Sequence, residues 1–391
     1  EIQSNINIIG GGLIGAAAAY TLSKLGNNVV ILEQKAKFDH KRILDKRTTA
    51  ISEGTKRFLD EINIWKDISN HAEPIKKIQI VDRNQSNKIY FDNQRRKSNL
   101  GYIVKNEFIL DSLYKKLEKQ KNVKIFNNIF LKDIFYEGDR IITKQNNFFI
   151  NTNLLIASDG KYSSVRKFFK TPIFNKNYKK KAIVINFYHS KDHQNTAYEF
   201  FFKNGPLAIL PMQNNKDNYQ SSIVWTNTNE FIDSFLSLDN NKIISILNKK
   251  INGSVGDIKK IITKQIFPLK AHLNSKFVEK RTIYLGDSAH SFHPIAGQGW
   301  NLGIQDVESL YKLVRKYNSL GLELGDEIFC KKFHKDNFFK AYRLYQITDK
   351  VDAIFKLDNL IFNHARFSAI NLIEKSKKLK NRISDFAMGI N

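Results

Sequence analysis

The sequence predicts an α/β fold in three parts: a mainly parallel-sheet domain, an antiparallel sheet inserted into it, and a C-terminal helical tail. Three observations carry this. A strand, a glycine-rich turn, a helix and a second strand end by residue 33. Between about Thr171 and His272 the texture changes to β-rich runs parted by Gly, Pro and Asn turns. From about Leu322 onward the apolar spacing is helical.

Residues 6–10 form an apolar run that stops on glycines, the pattern of a buried first strand. Residues 13–25 carry Ala and Leu at helical spacing and stop at Gly26. Residues 29–33 are the second β-rich run. Helices are expected at 55–65 and 107–119, with a pair of strands at 75–92 between them. Short strands are expected at 123–125, 129–135 and 141–150. A buried run follows at 154–157, closed by Asp159-Gly160. In the inserted region, 182–188, 197–202, 207–211 and 221–226 read as strands, and 231–238 and 242–249 as helices. Residues 282–285 return to a buried strand and 301–316 to a helix. The division that follows assigns 1–74, 95–170 and 277–320 to the first domain. Residues 75–94 are strands joining the inserted sheet, 171–276 are the inserted domain and 321–391 the helical tail.

Composition narrows the function classes. A chain of 391 residues with 42% hydrophobic and 12% aromatic residues builds a core, so global disorder is excluded. The single Cys330 excludes a disulfide framework and a Cys-rich zinc module. His290 and His293 have H-x-x-H spacing but no further ligands beside them, so no metal is expected. No run of about 18 apolar residues is present, and no leader segment is visible, so a cytoplasmic address is expected. The net charge of +25 comes with far more Lys than Arg and abundant Asn, Ile and Phe. That mix favours compositional drift over the whole surface, with a membrane-surface role as the second reading. No nucleic-acid motif accompanies the charge, so no nucleic-acid partner is expected.

Gly10-Gly11-Gly12-Leu13-Ile14-Gly15 gives G-x-G-x-x-G between a strand and a helix. Gly10 allows the tight turn, Gly12 lets backbone approach a pyrophosphate, and Gly15 lets helix and strand pack closely. The N–H groups at the helix start, including those of Leu13 and Ile14, would hold the phosphates. Glu33 ends the second strand, where a carboxylate accepts hydrogen bonds from ribose hydroxyls. The loop is Rossmann-like and points to an adenine dinucleotide, without separating FAD from NAD.

Residues 154–166 read LLIASDGKYSSVR and residues 285–303 read LGDSAHSFHPIAGQGWNLG. With these segments the chain resembles the flavoprotein aromatic hydroxylases, most nearly the ubiquinone-biosynthesis hydroxylases, which oxygenate polyprenylated phenols. The resemblance covers nearly the whole chain. It implies a Rossmann-like FAD-binding domain, an inserted antiparallel-sheet substrate domain and FAD as the cofactor. Asp45–Ser52 matches the family's Asp-x-Arg segment, and makes Arg47 a candidate to reach cofactor phosphate or the flavin region. Asp159, Gly160, Ser163 and Arg166 match the segment associated with both FAD and NAD(P)H. Gly286, Asp287, Pro294, Gly297, Gln298, Gly299 and Asn301 match the segment that holds the ribityl chain and flanks the flavin ring. Asn106 lies where the family often has a polar residue near FAD. Residues 205–211, Trp225 and 387–389 look like the ubiquinone branch in particular. Trp300 departs from the aliphatic residue or Phe common there, and would narrow the pocket near the ring.

The implied reaction is hydroxylation of the aromatic ring of a polyprenylated ubiquinone precursor by O2 through a flavin hydroperoxide. NAD(P)H or a separate reductase would supply electrons. Pro294, Gly297, Gln298 and Gly299 are the flavin-adjacent candidates, and no catalytic acid or base is identified. The family further implies docking on the inner membrane face and partners in a quinone-synthesis assembly. The apolar-rich 354–362 segment is a candidate for that docking. A small soluble aromatic substrate, or a non-catalytic flavin-bound assembly role, remains the alternative.

Overall fold

A computed structural model describes residues 1–36, 47–82, 88–92, 98–215, 218–292, 298–356, 368 and 371–389, with the backbone alone at 298, 351–356, 386 and 387. Strand β1 (Ile2–Ile9) runs through the glycine turn into α1 (Leu13–Ser23) and β2 (Val29–Glu33). Next come β3 (Thr48–Ser52), α2 (Glu53–Glu61) and α3 (Trp65–Ile68). Then follow β4 (Glu73–Ile75), β5 (Lys77–Asp82), β6 (Lys88–Asp92), β7 (Gly101–Lys105) and α4 (Asn106–Leu117). After β8 (Val123–Asn127), β9 (Asp133–Glu137), β10 (Arg140–Lys144) and β11 (Phe149–Ala157) comes α5 (Ser164–Phe169). The inserted region holds β12 (Ile173–His189), β13 (Thr196–Phe202), β14 (Gly205–Asn215) and β15 (Asn218–Thr228). It continues with α6 (Asn229–Leu236), α7 (Asn240–Ile251) and β16 (Ile258–Asn274). The chain closes through β17 (Val278–Glu279), β18 (Thr282–Tyr284), β19 (His290–Ser291), α8 (Gln298–Ser319), α9 (Glu327–Lys356) and α10 (Lys377–Ala387).

The first sheet has the order β17-β18-β11-β1-β2-β8, with β10 and β9 continuing antiparallel from β11. β18, β11, β1, β2 and β8 are parallel. Its centre is covered on both faces, which is why the strands read as unbroken apolar runs. Ala16–Ala19 of α1 are all buried, and such small side chains let the helix lie close to the sheet. α9 sends Phe329, Phe333, Ala341 and Leu344 into the same core.

The second sheet has the order β19-β16-β12-β15-β14-β13-β5-β6. One face packs on α6 and α7 through Ile183, Ile185, Phe187, Ile223 and Trp225 against Ile232, Phe235, Ile243, Leu247 and Ile251. Trp225 meets Phe231 and Phe235 edge-on, with centroids 5.0 and 5.3 Å away. Both helices are capped by side chains. Thr228 accepts from the Phe231 N–H at 3.3 Å, and Asp239 from the Lys242 N–H at 2.9 Å. A third, small sheet, β3-β7-β4, lies between the two.

Several elements depart from the sequence reading. The 55–65 helix is two helices, interrupted at Asn63 by a left-handed φ of +61°. The strand expected at 141–150 breaks at a turn closed by the Gln145 N–H donating to the Phe148 carbonyl. Beyond it, 149–157 is one continuous strand. Residues 151–153, Asn-Thr-Asn, look like a loop in the sequence. They stay extended because β11 pairs with β10 on one side and with β1 on the other. β12 starts at Ile173 rather than 182, because its first part pairs with the end of β16. The tail does not stand free: Met388 is buried and its carbonyl accepts from the Gly54 N–H at 2.9 Å. The 354–362 segment lies outside the described side chains. Among the described residues no helix is long and apolar enough to cross a membrane.

Candidate cofactor site

Gly10, Glu33, Asp159 and Gly286 all lie at or just beyond the carboxyl ends of β1, β2, β11 and β18. These ends form one edge of the first sheet, where ligands of open α/β sheets bind. The glycine turn is built for close approach. Gly10 has φ +101°, and a Cβ there would lie 2.5 Å from the Ser158 carbonyl oxygen. A Cβ on Gly15 would lie 1.9 Å from the Gly10 carbonyl oxygen, so β1 and α1 meet at a distance only glycine allows. Gly12 differs: its φ is −67°, and a Cβ there would meet nothing within 4 Å. No side chain caps α1, and its first turn holds no acidic residue. The turn therefore offers open space beside unsatisfied N–H groups and the positive end of a helix dipole.

Glu33 and Tyr114 pin this turn. Glu33 Oε2 accepts from the Gly11 N–H at 2.6 Å, and its Oε1 from the Lys35 N–H at 2.9 Å. The Tyr114 hydroxyl donates to the Gly11 carbonyl at 2.8 Å, and burial followed by the Glu33 charge pushes its pKa up. Asn106 starts α4, buried; its Oδ1 accepts from the Thr49 hydroxyl and its N–H donates to the Arg47 carbonyl at 2.9 Å. Arg47 is exposed, its guanidinium 5.6 Å from the centre of the Phe267 ring on the second sheet.

Asp159 caps the next helix. Its Oδ2 accepts from the Ser164 N–H at 2.6 Å and the Ser164 hydroxyl at 2.8 Å, while Oδ1 is buried without a partner. Gly160 takes φ +79° in that turn. Arg166 is not a solvated helix residue. It is 9% exposed, and its Nη1 lies 3.0 Å from both His272 Nε2 and the Ser288 carbonyl oxygen. Its second terminal nitrogen donates to the Lys161 carbonyl. Burial, and then the charges of Arg166, His290 and Lys161, hold His272 down at about 3. His272 is therefore neutral at neutral pH, and its Nε2 accepts from Arg166. This guanidinium ties three segments together: the one after β11, strand β16 and the turn after β18.

That last turn, Gly286–Ser288, is a single 3-10 turn. The Gly286 N–H donates to Asp306 Oδ2 at 3.1 Å, and His290 Nε2 lies 2.7 Å from the same oxygen. His290 and Asp306 are each 1% exposed. Ser288 donates to the Ala157 carbonyl and accepts from the Leu285 N–H at 3.2 Å. Asp287 alone points outward. Protein hems it in, yet its side chain stays open to solvent, which places it on the floor of a cleft. This confinement raises its pKa, and the positive potential of His290, Lys161 and Arg47 opposes the rise.

Asn301 is committed to the scaffold. Its Oδ1 accepts from the Ser52 N–H at 2.9 Å and its Nδ2 donates to the Ala50 carbonyl at 2.8 Å, clamping α8 to β3. Gly299 lies in the first turn of α8, with open space where a Cβ would point. Trp300 is half-buried, and its Nε1 is buried without a partner. Asp45, Lys46, His293, Pro294 and Gly297 lie outside the described residues, and of Gln298 only the backbone is described. Among the described residues no three His, Cys, Asp or Glu side chains gather as a metal site.

The structure thus brings Gly12, Glu33, Asp159 and Asp287 to one sheet edge, with Arg47 beside Asp287. Sequence reasoning missed Tyr114, Lys161, His272 and Asp306. Only Asp306 left a signal, a lone acid in the apolar face of α8. The donor set fits an adenine dinucleotide: an uncapped helix start for phosphates, then carboxylates for sugar and polyol hydroxyls.

Comparisons with known proteins agree with this geometry. The model of the FAD binding domain family matches residues 3–319. The chain is 26% identical to ubiquinone hydroxylase UbiL of Rhodospirillum rubrum, over 99% of this chain and 90% of that protein. It is 28% identical to the mitochondrial ubiquinone biosynthesis monooxygenase COQ6 of Drosophila melanogaster, over 85% of this chain and 78% of that one. In fold it is similar to p-nitrophenol 4-monooxygenase PnpA of Pseudomonas putida, with a TM-score of 0.81 at 15% identity, covering 100% and 99% of the two chains.

Proposed function

The chain belongs to the FAD binding domain family, and from that premise we propose that it is an FAD-dependent monooxygenase acting on the aromatic ring of a polyprenylated ubiquinone precursor. The observation that carries the reading is the convergence of Gly12, Glu33 and Asp287 on one sheet edge facing the second sheet. The N-terminus of α1 would hold the pyrophosphate, Glu33 the ribose and Asp287 the ribityl hydroxyls. The positive end of α8 would favour negative charge on a flavin ring held beside it. Bound FAD supplies the redox chemistry that activates O2 for transfer to an electron-rich ring. The chain's own part is to orient that ring and to keep water from the reacting atoms.

Arg166 keeps the three cofactor segments in register, and the cleft between the sheets receives the substrate. NAD(P)H, or a separate reductase, would supply the electrons. The apolar prenyl tail calls for a membrane surface at the cleft. The net charge of +25, together with the exposed Ile328 and Phe339 on α9, suits docking on an anionic bilayer and within a quinone-synthesis assembly.

Mass spectrometry of the quinone lipids in cells lacking this chain tests the reading. A prenylated intermediate short of one or more ring oxygens is expected, and its structure names the ring position. An unchanged quinone pool in a cell without a redundant enzyme would shift the substrate to a small soluble phenol.

A further inference from the structure

On the face of the second sheet turned away from α6 and α7, the strand register aligns one row of side chains. Gln265, Val184, Val224, Ala208, Glu199 and Ile80 lie side by side across β16, β12, β15, β14, β13 and β5. All six are half-buried. Their neighbours on the opposite face, Ile183, Ile223, Ile209 and Phe200, are sealed beneath the helices. The row is therefore less tightly covered than the helix-packed face, and at its β5 end Ile80 packs on the cluster of Ile75, Phe91 and Met388. Arg47 of the first domain lies over Phe267, two residues along β16 on this same face, so the row opens toward the cofactor domain.

Four members of the row are apolar and one is an amide at its edge. Glu199 is the only ionisable group, and it has no hydrogen-bond or ion-pair partner among the described residues. A carboxyl in such surroundings is costly, and a fold keeps one where chemistry uses it. A second observation points the same way. In the adjacent row on this face, the cross-strand neighbours Ser222 and Asn186 bury Oγ and Oδ1 without partners. Beside the half-buried row this face therefore holds unsatisfied oxygens buried among apolar groups, which suits a flat apolar ring bearing hydroxyl groups.

Resting on the reading of the chain as a phenol hydroxylase, we propose that Glu199 is a catalytic residue that accepts the hydrogen bond, and then the proton, of the substrate's ring hydroxyl, while Val184, Val224, Ala208 and Ile80 seat the ring and the start of its prenyl chain. The phenolic O–H bond breaks and a carboxyl O–H forms. The electron pair left on the ring oxygen makes the ring carbon nucleophilic toward the oxygen atom derived from O2. The C–O bond would form as the O–O bond breaks, the second oxygen atom leaving as water with the two electrons that NAD(P)H or a reductase supplies through the cofactor. When aromaticity returns, the ring C–H proton leaves to water, and Glu199 gives its proton back to the ring oxygen.

Burial alone lifts the Glu199 carboxyl to about 8. Around it this face presents Ala197 and Phe201 of β13, Ala208 and Leu210 of β14 and Ile78 and Ile80 of β5, with Asp82 two residues farther along β5 beside Phe201. The tail adds Ile373 and Ile383. Of these only Asp82 titrates, and burial rather than its charge sets the Glu199 carboxyl. The proton-accepting form is therefore scarce at neutral pH and grows as pH rises through about 8.

The test uses the full FAD-loaded chain, 2-prenylphenol as substrate, and Glu199→Gln and Glu199→Asp variants. In the unaltered chain kcat should rise up to about tenfold per pH unit below the carboxyl's pKa. Glu199→Gln should lower kcat by about 100-fold and erase that pH limb, with little change in KM or flavin content. Glu199→Asp should restore the limb, and carries the test if the Gln variant does not fold. A Gln variant that keeps both kcat and the pH limb overturns the role of Glu199 while leaving the hydroxylase reading intact. An unaltered chain that never hydroxylates the phenol at any pH overturns that reading and this proposal with it.

Discussion

Replacing Gly12 by valine is expected to leave the chain folded and unable to retain FAD. The backbone at Gly12 is extended, with φ −67° and ψ −172°, so a β-branched residue fits without strain. A Cβ there meets nothing within 4 Å, so no protein atom has to move. The space it enters is the space beside the uncapped start of α1, where a pyrophosphate would approach the backbone. The apoprotein should keep its secondary structure and Tm. Its affinity for FAD should fall by at least about 100-fold, roughly 3 kcal/mol. Flavin absorbance after gel filtration, read beside circular dichroism, separates the two effects.

Gly15→Ala should fail differently. The added methyl carbon would lie 1.9 Å from the Gly10 carbonyl oxygen and 2.5 Å from Ser158 Oγ. The first of these is backbone of the same turn and cannot swing aside. α1 must lift from the sheet, and overpacking of this kind costs about 1–3 kcal/mol. In a chain of this size each kcal/mol lowers Tm by roughly 2–4 °C. The apoprotein itself should melt several degrees lower, and FAD should be lost as a consequence of the displaced helix. If Gly15→Ala kept the apoprotein Tm, the close approach of β1 and α1 would not be the reason for glycine at that position.

The first turn was legible because everything it needs lies within one βαβ unit: strand, glycines, helix and terminal acid are neighbours in sequence. The contacts that brace it are not. Tyr114 reaches Gly11 across 103 residues, and Arg166 reaches His272 across 106. No local pattern announces such pairs. Arg166 is visible in its motif segment, but its buried contacts to His272 and the Ser288 carbonyl are not. Asn301 falls in the flavin-flanking segment, and the sequence does not show that its amide holds β3. The 151–153 stretch looked like a loop because its polarity was visible and its two flanking strands were not. Cys330 is a buried helix residue whose thiol is pushed up to about 12 by burial.

Glu199 shows the same limit from the other side. In the sequence it is one acid in a β-rich run, indistinguishable from a surface residue. Only the register of six strands shows that its row holds four apolar side chains and no second ionisable group. The aromatic pattern around it, Tyr198-Glu199-Phe200-Phe201-Phe202, marks a strand but not which face receives a ligand.

The central claim, that this chain transfers an oxygen atom from O2 to a prenylated phenol, is tested most directly with isotopically heavy O2. The FAD-loaded chain would be reduced chemically, mixed with 2-prenylphenol and the labelled gas, and the ring product weighed by mass spectrometry. The expected result is a product carrying one heavy oxygen atom, with none taken from unlabelled water. Reoxidation of the flavin with the label found only in hydrogen peroxide, and the phenol returned unchanged, would contradict it.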